Sequence, residues 1–273
     1  MPYQQTIDRR HPGCIIFLLD QSASMAEPMG GTTPPVSKAQ ALADTVNNLL
    51  QTIVRRSVKE QDELPRYYYD LGIIGYGNEA RPLFGGSLSG RYFASVAEVA
   101  EAAQEIAGLD GKLHPVWLTP VADGRTAMCG AIELAGQIAN GWIQAHQDSF
   151  PPIVINVSDG KATDAKPDLL RKAADELRGM ATADGELLLF NINLSTAAKQ
   201  SIAFPVDAKK LPDEYSRQLF ALSSRLPDLM RRQAERRGMS AGPDVRGFVC
   251  NADLDTVIQA LEVGTTLQQV EEY

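Results

Sequence analysis

Cys14-Ile15-Ile16-Phe17-Leu18-Leu19-Asp20-Gln21-Ser22-Ala23-Ser24 runs six apolar residues into a carboxylate and then two hydroxyls at alternate positions. An uninterrupted apolar run of this length, closed by polar residues, reads as a strand buried on both faces, as in the middle of a parallel sheet. It is about a third of the ~20 residues that a membrane-spanning helix needs, and it ends in a charge. Nor does the N-terminus carry the longer apolar stretch and small-residue cleavage site of a signal peptide. The expectation is a cytoplasmic protein with no membrane contact.

Outward from this strand, short apolar runs alternate with segments of helical period, the pattern of an α/β sheet covered on both faces. After a Gly/Pro/Thr-rich stretch from Met29 to Pro35, a helix is expected with Thr33 as its N-cap and Pro34 in its first turn. Its apolar stripe is Val36, Ala39, Ala43, Val46, Leu50 and Ile53. Tyr67 to Tyr76 and Ala80 to Phe84 read as strands separated by Gly77, Asn78 and Glu79, hence an antiparallel hairpin. Further helices are expected at Ala94 to Ala107, Met128 to His146, Pro167 to Met180 and Leu254 to Val263, with strands at Ile153 to Val157, Glu186 to Leu194 and Arg246 to Cys250. The fold class is therefore α/β, a doubly wound, mostly parallel sheet with one antiparallel edge strand and helices on both faces. Residues 1–12 read as an N-terminal extension and 13–273 as one domain. Between the last two strands, Asp213 to Ser223 and Asp228 to Gly238 look helical, a helical insertion around 199–243.

The 273 residues are 44% hydrophobic and 22% charged, which excludes wholesale disorder. Twenty-six Lys and Arg against 34 Asp and Glu give a net charge of −8, which argues against nucleic acid as a partner. Cys14, Cys129 and Cys250 are odd in number and widely spaced, so they read as buried thiols in a reducing compartment.

Three loops carry the chemistry. Asp20, Ser22 and Ser24 follow the first strand, Thr126 in Gly124-Arg125-Thr126 precedes the helix at Met128, and Asp159 follows the strand at Ile153. All lie at carboxyl ends of strands or just before a helix, where an open parallel sheet places its ligands. Carboxylates and hydroxyls are hard oxygen donors that suit Mg²⁺ or Mn²⁺ better than zinc. Any one of these residues alone reads as a helix or turn cap, but five together read as a metal site.

Taken in order, Asp-x-Ser-x-Ser, Gly-x-Thr and Ser158-Asp159-Gly160 resemble the metal-ion-dependent adhesion site (MIDAS) of the von Willebrand factor A (VWA) domain. The resemblance covers roughly Gly13 to Val263. The continuation Gly160-Lys161-Ala162-Thr163-Asp164 is similar to the stand-alone bacterial branch that includes the TerY-type proteins. The resemblance implies a three-layer VWA fold in which Ser22, Ser24 and Thr126 bind the metal directly, with Asp20 and Asp159 acting mostly through water. Set-back carboxylates leave the ion electrophilic and one vertex open to a partner's Asp or Glu. The implied function is a non-catalytic, metal-dependent protein-binding module in a signalling or stress-response assembly, with kinase- or phosphatase-like partners. The alternatives are a Mg²⁺-dependent hydrolase at the same site, or a co-factor subunit of a MoxR-type AAA+ ATPase. Against hydrolysis stands the want of a positioned base, since Lys161 is the one Lys or His adjoining the three loops in sequence.

Other signals read as structural. Gly75-Tyr76-Gly77-Asn78-Glu79-Ala80 matches a dinucleotide fingerprint but leads into Arg81-Pro82 rather than a helix, so its glycines belong to a hairpin turn. Gly30-Gly31-Thr32-Thr33 has no phosphate-loop Lys, and His11, His114 and His146 share no ligand spacing. Ser158 reads as structural rather than nucleophilic. Arg225, Arg231, Arg232, Arg236 and Arg237 form a basic cluster interspersed with Asp228 and Glu235, which reads as a solvated helix face.

Overall fold

The computed structural model describes residues 2–30, 32–60, 63–107, 113–194, 201–239 and 242–265. In chain order the elements begin with β1 (Gly13–Asp20), α1 (Lys38–Arg56), β2 (Tyr69–Tyr76), β3 (Ala80–Pro82), β4 (Ala94–Ser95), α2 (Val96–Glu101), β5 (Gln104–Ala107) and β6 (Leu113–Val116). They continue with α3 (Met128–Ala145), β7 (Ile153–Ser158), α4 (Pro167–Arg178), β8 (Ala181–Thr182), β9 (Gly185–Glu186) and β10 (Leu188–Leu194). The last five are β11 (Ile202–Ala203), α5 (Glu214–Leu222), α6 (Asp228–Arg236), β12 (Phe248–Ala252) and α7 (Leu254–Thr265).

The main sheet has the order β11-β12-β10-β7-β1-β2-β3, with β4 also on β2. β2, β1, β7, β10 and β12 run parallel. From β1 the chain first builds outward through β2 and then returns to β7 on the other side, so strand order reverses beside β1. The crevice above β1 and β7 is the switch point of the sheet.

Every residue of β1 is buried, and its side chains divide between two cores. Ile15, Phe17 and Leu19 pack with α1, α6 and α7 residues such as Val46, Leu50, Met230 and Leu261. Cys14, Ile16 and Leu18 pack with Ile132, Ala135, Leu170 and Leu219 of α3, α4 and α5. The described part of the segment between β10 and β12 clasps the sheet edge, with α5 on one face and α6 on the other. Ile7, ahead of β1, is fully buried in the first core. Among the described residues no helix is long and apolar enough to cross a membrane.

Three elements depart from the sequence reading. α1 starts later than Thr33 and Pro34, because Ser37 is the residue whose hydroxyl accepts the Gln40 N–H (3.1 Å). Pro34 precedes a second proline, which disfavours helical backbone there. Ala94 to Ala107 is not one helix. A capping box between Ser95 and Glu98 opens α2, which stops at Glu101, and Gln104–Ala107 pairs antiparallel with Leu113–Val116. Strand pairing there overrides the helix propensity of Ala and Glu. Antiparallel strands border both edges rather than one, since β3 and β4 pair with β2 and β11 with β12.

A row of polar side chains crosses the second core. The Tyr76 hydroxyl donates to Asn156 Oδ1 (2.6 Å), Asn156 Nδ2 to Asn191 Oδ1 (2.9 Å), and Asn191 Nδ2 to Ser223 Oγ (3.0 Å). Tyr76→Phe strands the Asn156 acceptor in the interior, so a loss of about 1–3 kcal/mol is expected in urea unfolding, with the m-value unchanged.

Candidate metal centre

Asp20 is the last residue of β1 and almost wholly buried, at 2% exposure. Its Oδ1 accepts the Ser22 backbone N–H (2.8 Å) and its Oδ2 accepts the Ser158 hydroxyl (2.6 Å). Ser22 Oγ and Ser24 Oγ lie 3.1 Å apart, and Ser24 Oγ donates to Asp159 Oδ1 (2.6 Å). Two carboxylates and two serine hydroxyls from β1 and β7 thus form one continuous cluster. Burial pushes the Asp20 carboxyl above the usual carboxylate range and the Asp159 charge adds to this, with hydrogen bonds from Ser158 and Ser22 opposing.

Thr126 is brought in by backbone bonds between loops. The Asp123 N–H donates to the Gln21 carbonyl (2.7 Å), the Ala23 N–H to the Gly124 carbonyl (3.1 Å), and the Ala127 N–H to the Gly77 carbonyl (3.0 Å). Gly124 has φ +83°, and a Cβ there would lie 2.8 Å from the Asn78 carboxamide, whose Oδ1 accepts the Arg125 N–H. Glycine is what that turn requires. From the other side, Thr163 Oγ1 accepts the Thr126 N–H (3.0 Å), while Asp164 accepts the Cys129 and Gly130 N–H groups at the start of α3. The hairpin turn at Gly77-Asn78-Glu79 thus serves as a buttress for the Thr126 loop.

The five oxygen-bearing residues predicted from sequence therefore stand around one place. A Cβ built on Gly160 would lie 3.8 Å from both Ser24 Oγ and Thr126 Oγ1, so the bare glycine leaves open a cradle that a side chain would fill. The Tyr215 hydroxyl of α5 is buried close enough to Ser158, Asp20 and Asp159 for them to act on it. The donor set is oxygen throughout, which fits Mg²⁺ or Mn²⁺ in chemistry. Among the described residues no group of three or more His, Cys, Asp and Glu side chains is placed to hold a metal. The candidate centre differs in kind, with two carboxylates and three hydroxyls.

The neighbouring cation is Lys38 rather than Lys161. Lys38 Nζ donates to Asp159 Oδ2 (2.6 Å) and to Glu27 Oε2 (3.0 Å). The Lys38 and Asp159 side chains are only 4% and 1% exposed, so this is a buried ion pair. The ammonium takes the carboxylate oxygen that the serines do not use. Sequence reading missed it because Lys38 sits 121 positions from Asp159, in the first turn of a helix whose start was placed too early.

No protein-family model and no curated protein matches the sequence. Among solved structures the chain is similar to a von Willebrand factor type A protein from Catenulispora acidiphila, at 17% identity and TM-score 0.39, covering 67% of this chain and 34% of that one. It is similar to proximal thread matrix protein 1 from the mussel byssus, at 15% identity and TM-score 0.46, covering 81% and 43%. A third is the manganese-loaded TRAP protein of Plasmodium vivax, at 13% identity and TM-score 0.46, covering 92% and 72%. The chain thus spans less than half the length of the first two.

Because the folded protein holds the Asp20 proton more tightly than the unfolded chain does, this group favours folding most at low pH, and that advantage is lost as pH rises through its raised pKa. In EDTA, Asp20→Asn is expected to melt at a higher temperature than wild type at pH 7, with the gap closing towards acid pH. Thermal unfolding across pH 3–8 checks it; a gap that is constant with pH contradicts it.

Proposed function

We propose that the loop cluster is a divalent-cation site of the MIDAS type and that the chain is a VWA-like module that binds a partner protein through that cation. The observation that carries this reading is the meeting of Asp20, Ser22, Ser24, Thr126 and Asp159 around a cradle kept open by Gly160. The Gly160-Lys161-Ala162-Thr163-Asp164 stretch supports placing it with stand-alone bacterial TerY-type proteins, and a bacterial cytoplasmic assembly belongs to the same proposal.

In this reading Ser22, Ser24 and Thr126 present hydroxyl oxygens to the ion, while Asp20 and Asp159 set the local negative charge. Bound there, Mg²⁺ or Mn²⁺ would supply a Lewis-acidic point of attachment for an outside carboxylate. Ser158 holds Asp20 in place, Thr163 and Asp164 hold the Thr126 loop, and Lys38 offsets one unit of the cluster's charge. The module acts by binding rather than by turnover.

Titration calorimetry with MgCl₂ and MnCl₂ tests the site. Asp20→Ala and Thr126→Ala are expected to lower cation affinity at least tenfold while the protein stays folded. Gly160→Val should weaken binding by filling the cradle. Partner capture from a bacterial lysate should require Mg²⁺ and fail in EDTA; capture unchanged by EDTA refutes the metal-dependent reading.

Lys38→Met offers an independent check. Removing one partner of a buried ion pair costs about 3–5 kcal/mol, so the variant should be strongly destabilised in EDTA. Cation at a hundred times its Kd stabilises by about 2.7 kcal/mol. With the competing ammonium on Asp159 gone the variant should have the lower Kd, so at equal Mg²⁺ it should be stabilised more than wild type.

A further inference from the structure

Of the five basic residues that cluster in sequence, four stay on α6 or at its end. Arg231 pairs with Asp228 (3.2 Å) and Glu235 (2.6 Å), and Arg237 with Glu262 of α7. Arg225 leaves this group. It forms an antiparallel bridge with Arg246, at the opposite end of the sheet from the loop cluster, beside the start of β10. Arg178, at the end of α4, lines the same cavity, whose volume is about 540 Å³.

Two arginines directly opposite across a bridge repel, and a third adds to the strain. Arg246 is held rigidly, its Nη1 donating to the Ser223 carbonyl (2.7 Å) and the Ala221 carbonyl (3.3 Å) and its guanidinium 5.2 Å from the Phe220 ring centroid. No carboxylate pairs with Arg246 among the described residues, and the charges that act on it are those of Arg178 and Arg225. Arg178 pairs with Asp175, yet its Nε is buried and donates to nothing. Arg225 pairs with Asp244 (3.2 Å) in a largely exposed contact, which is worth little and is readily exchanged. Glu186 also lines the cavity but is not among the groups that act on Arg246. The remaining wall is mixed: Asp175, which pairs with Arg178, lines it too, and Leu187, Leu226 and Pro227 supply its apolar part.

We infer that this cavity is a binding site for a phosphate monoester, with its dianionic head on Arg178, Arg225 and Arg246 and its organic part against Leu187, Leu226 and Pro227. Guanidinium forks match tetrahedral oxyanions in a way that ammonium groups do not. The cavity is larger than a bare phosphate needs, which favours an ester over the free ion. The site is independent of the loop cluster and stands whether or not that cluster binds metal.

The test is calorimetry and thermal shift on the full chain with inorganic phosphate, O-phospho-L-serine, a ten-residue phosphoserine peptide and its unphosphorylated form, against chloride at equal ionic strength. Phosphoserine is expected to bind and to raise the melting temperature. Arg225→Gln, an exposed position, and Arg246→Gln should each raise the Kd about tenfold. Arg225→Gln keeps the test valid if Arg246→Gln fails to fold, because Arg246 also anchors two carbonyls. A peptide binding more tightly than the free amino acid identifies a phosphorylated protein as the source, and equal affinities identify a small phosphorylated metabolite. No response beyond that of chloride, equal binding of the unphosphorylated peptide, or unchanged affinity in Arg225→Gln overturns the assignment.

Discussion

Asp20 and Asp159 leave the sheet side by side at the ends of β1 and β7, and neither side chain reaches bulk water. Buried carboxylates must be paired or hydrogen-bonded, because the interior does not solvate charge as water does. Much of the surrounding architecture answers that requirement. Ser158 and the Ser22 amide satisfy Asp20, Ser24 satisfies one oxygen of Asp159, and Lys38 satisfies the other. The first turn of α1 has to arrive where it does so that its first residue reaches the end of β7. The satisfaction is incomplete, since burial and the Asp159 charge still raise the cost of ionising Asp20.

What was legible in the sequence was local. The apolar run Cys14 to Leu19 declared a doubly buried central strand, and the oxygens after it are contiguous, so their clustering needed no tertiary knowledge. The hairpin around Gly77 was also readable, because its turn and both strands lie within one short stretch, and the structure pairs Tyr76 with Ala80 as expected. Thr126 and Asp159 came into view from their places before a helix and after a strand, and a likeness to a known order of motifs then joined them to the first loop. What stayed hidden depends on distant contacts. Lys38 looks like an ordinary helix residue until Asp159 is placed beside it. Four of the five clustered arginines stay on α6 or at its end, where Arg231 pairs with Asp228 and Glu235 in keeping with a solvated helix face, but the bridge of Arg225 with Arg246 was not legible. The helix expected from Ala94 to Ala107 failed for the same reason: its second half has a strand partner that propensity does not report.

The two ends of the sheet differ in sign. At the carboxyl ends, acidic side chains and hydroxyls gather over the switch point. At the amino ends, Arg178 of α4, Arg225 between α5 and α6 and Arg246 ahead of β12 gather over a cavity that Asp175 and Glu186 also line. Net charge of −8 conceals this division. A chain-wide total is informative about long-range steering and says little about what a given crevice attracts.

The polar row from Tyr76 through Asn156 and Asn191 to Ser223 solves a problem of alignment. β1, β2, β7 and β10 are buried along their whole length, so no alternation of wet and dry faces tells one strand how far to slide along the next. A shift of one residue between β7 and β10 would turn Asn156 away from Asn191, its direct partner across the pair, and leave amide groups facing hydrocarbon. The row acts as a ruler set into an otherwise featureless oily surface, and it keeps the strand ends level so that the loops above them meet.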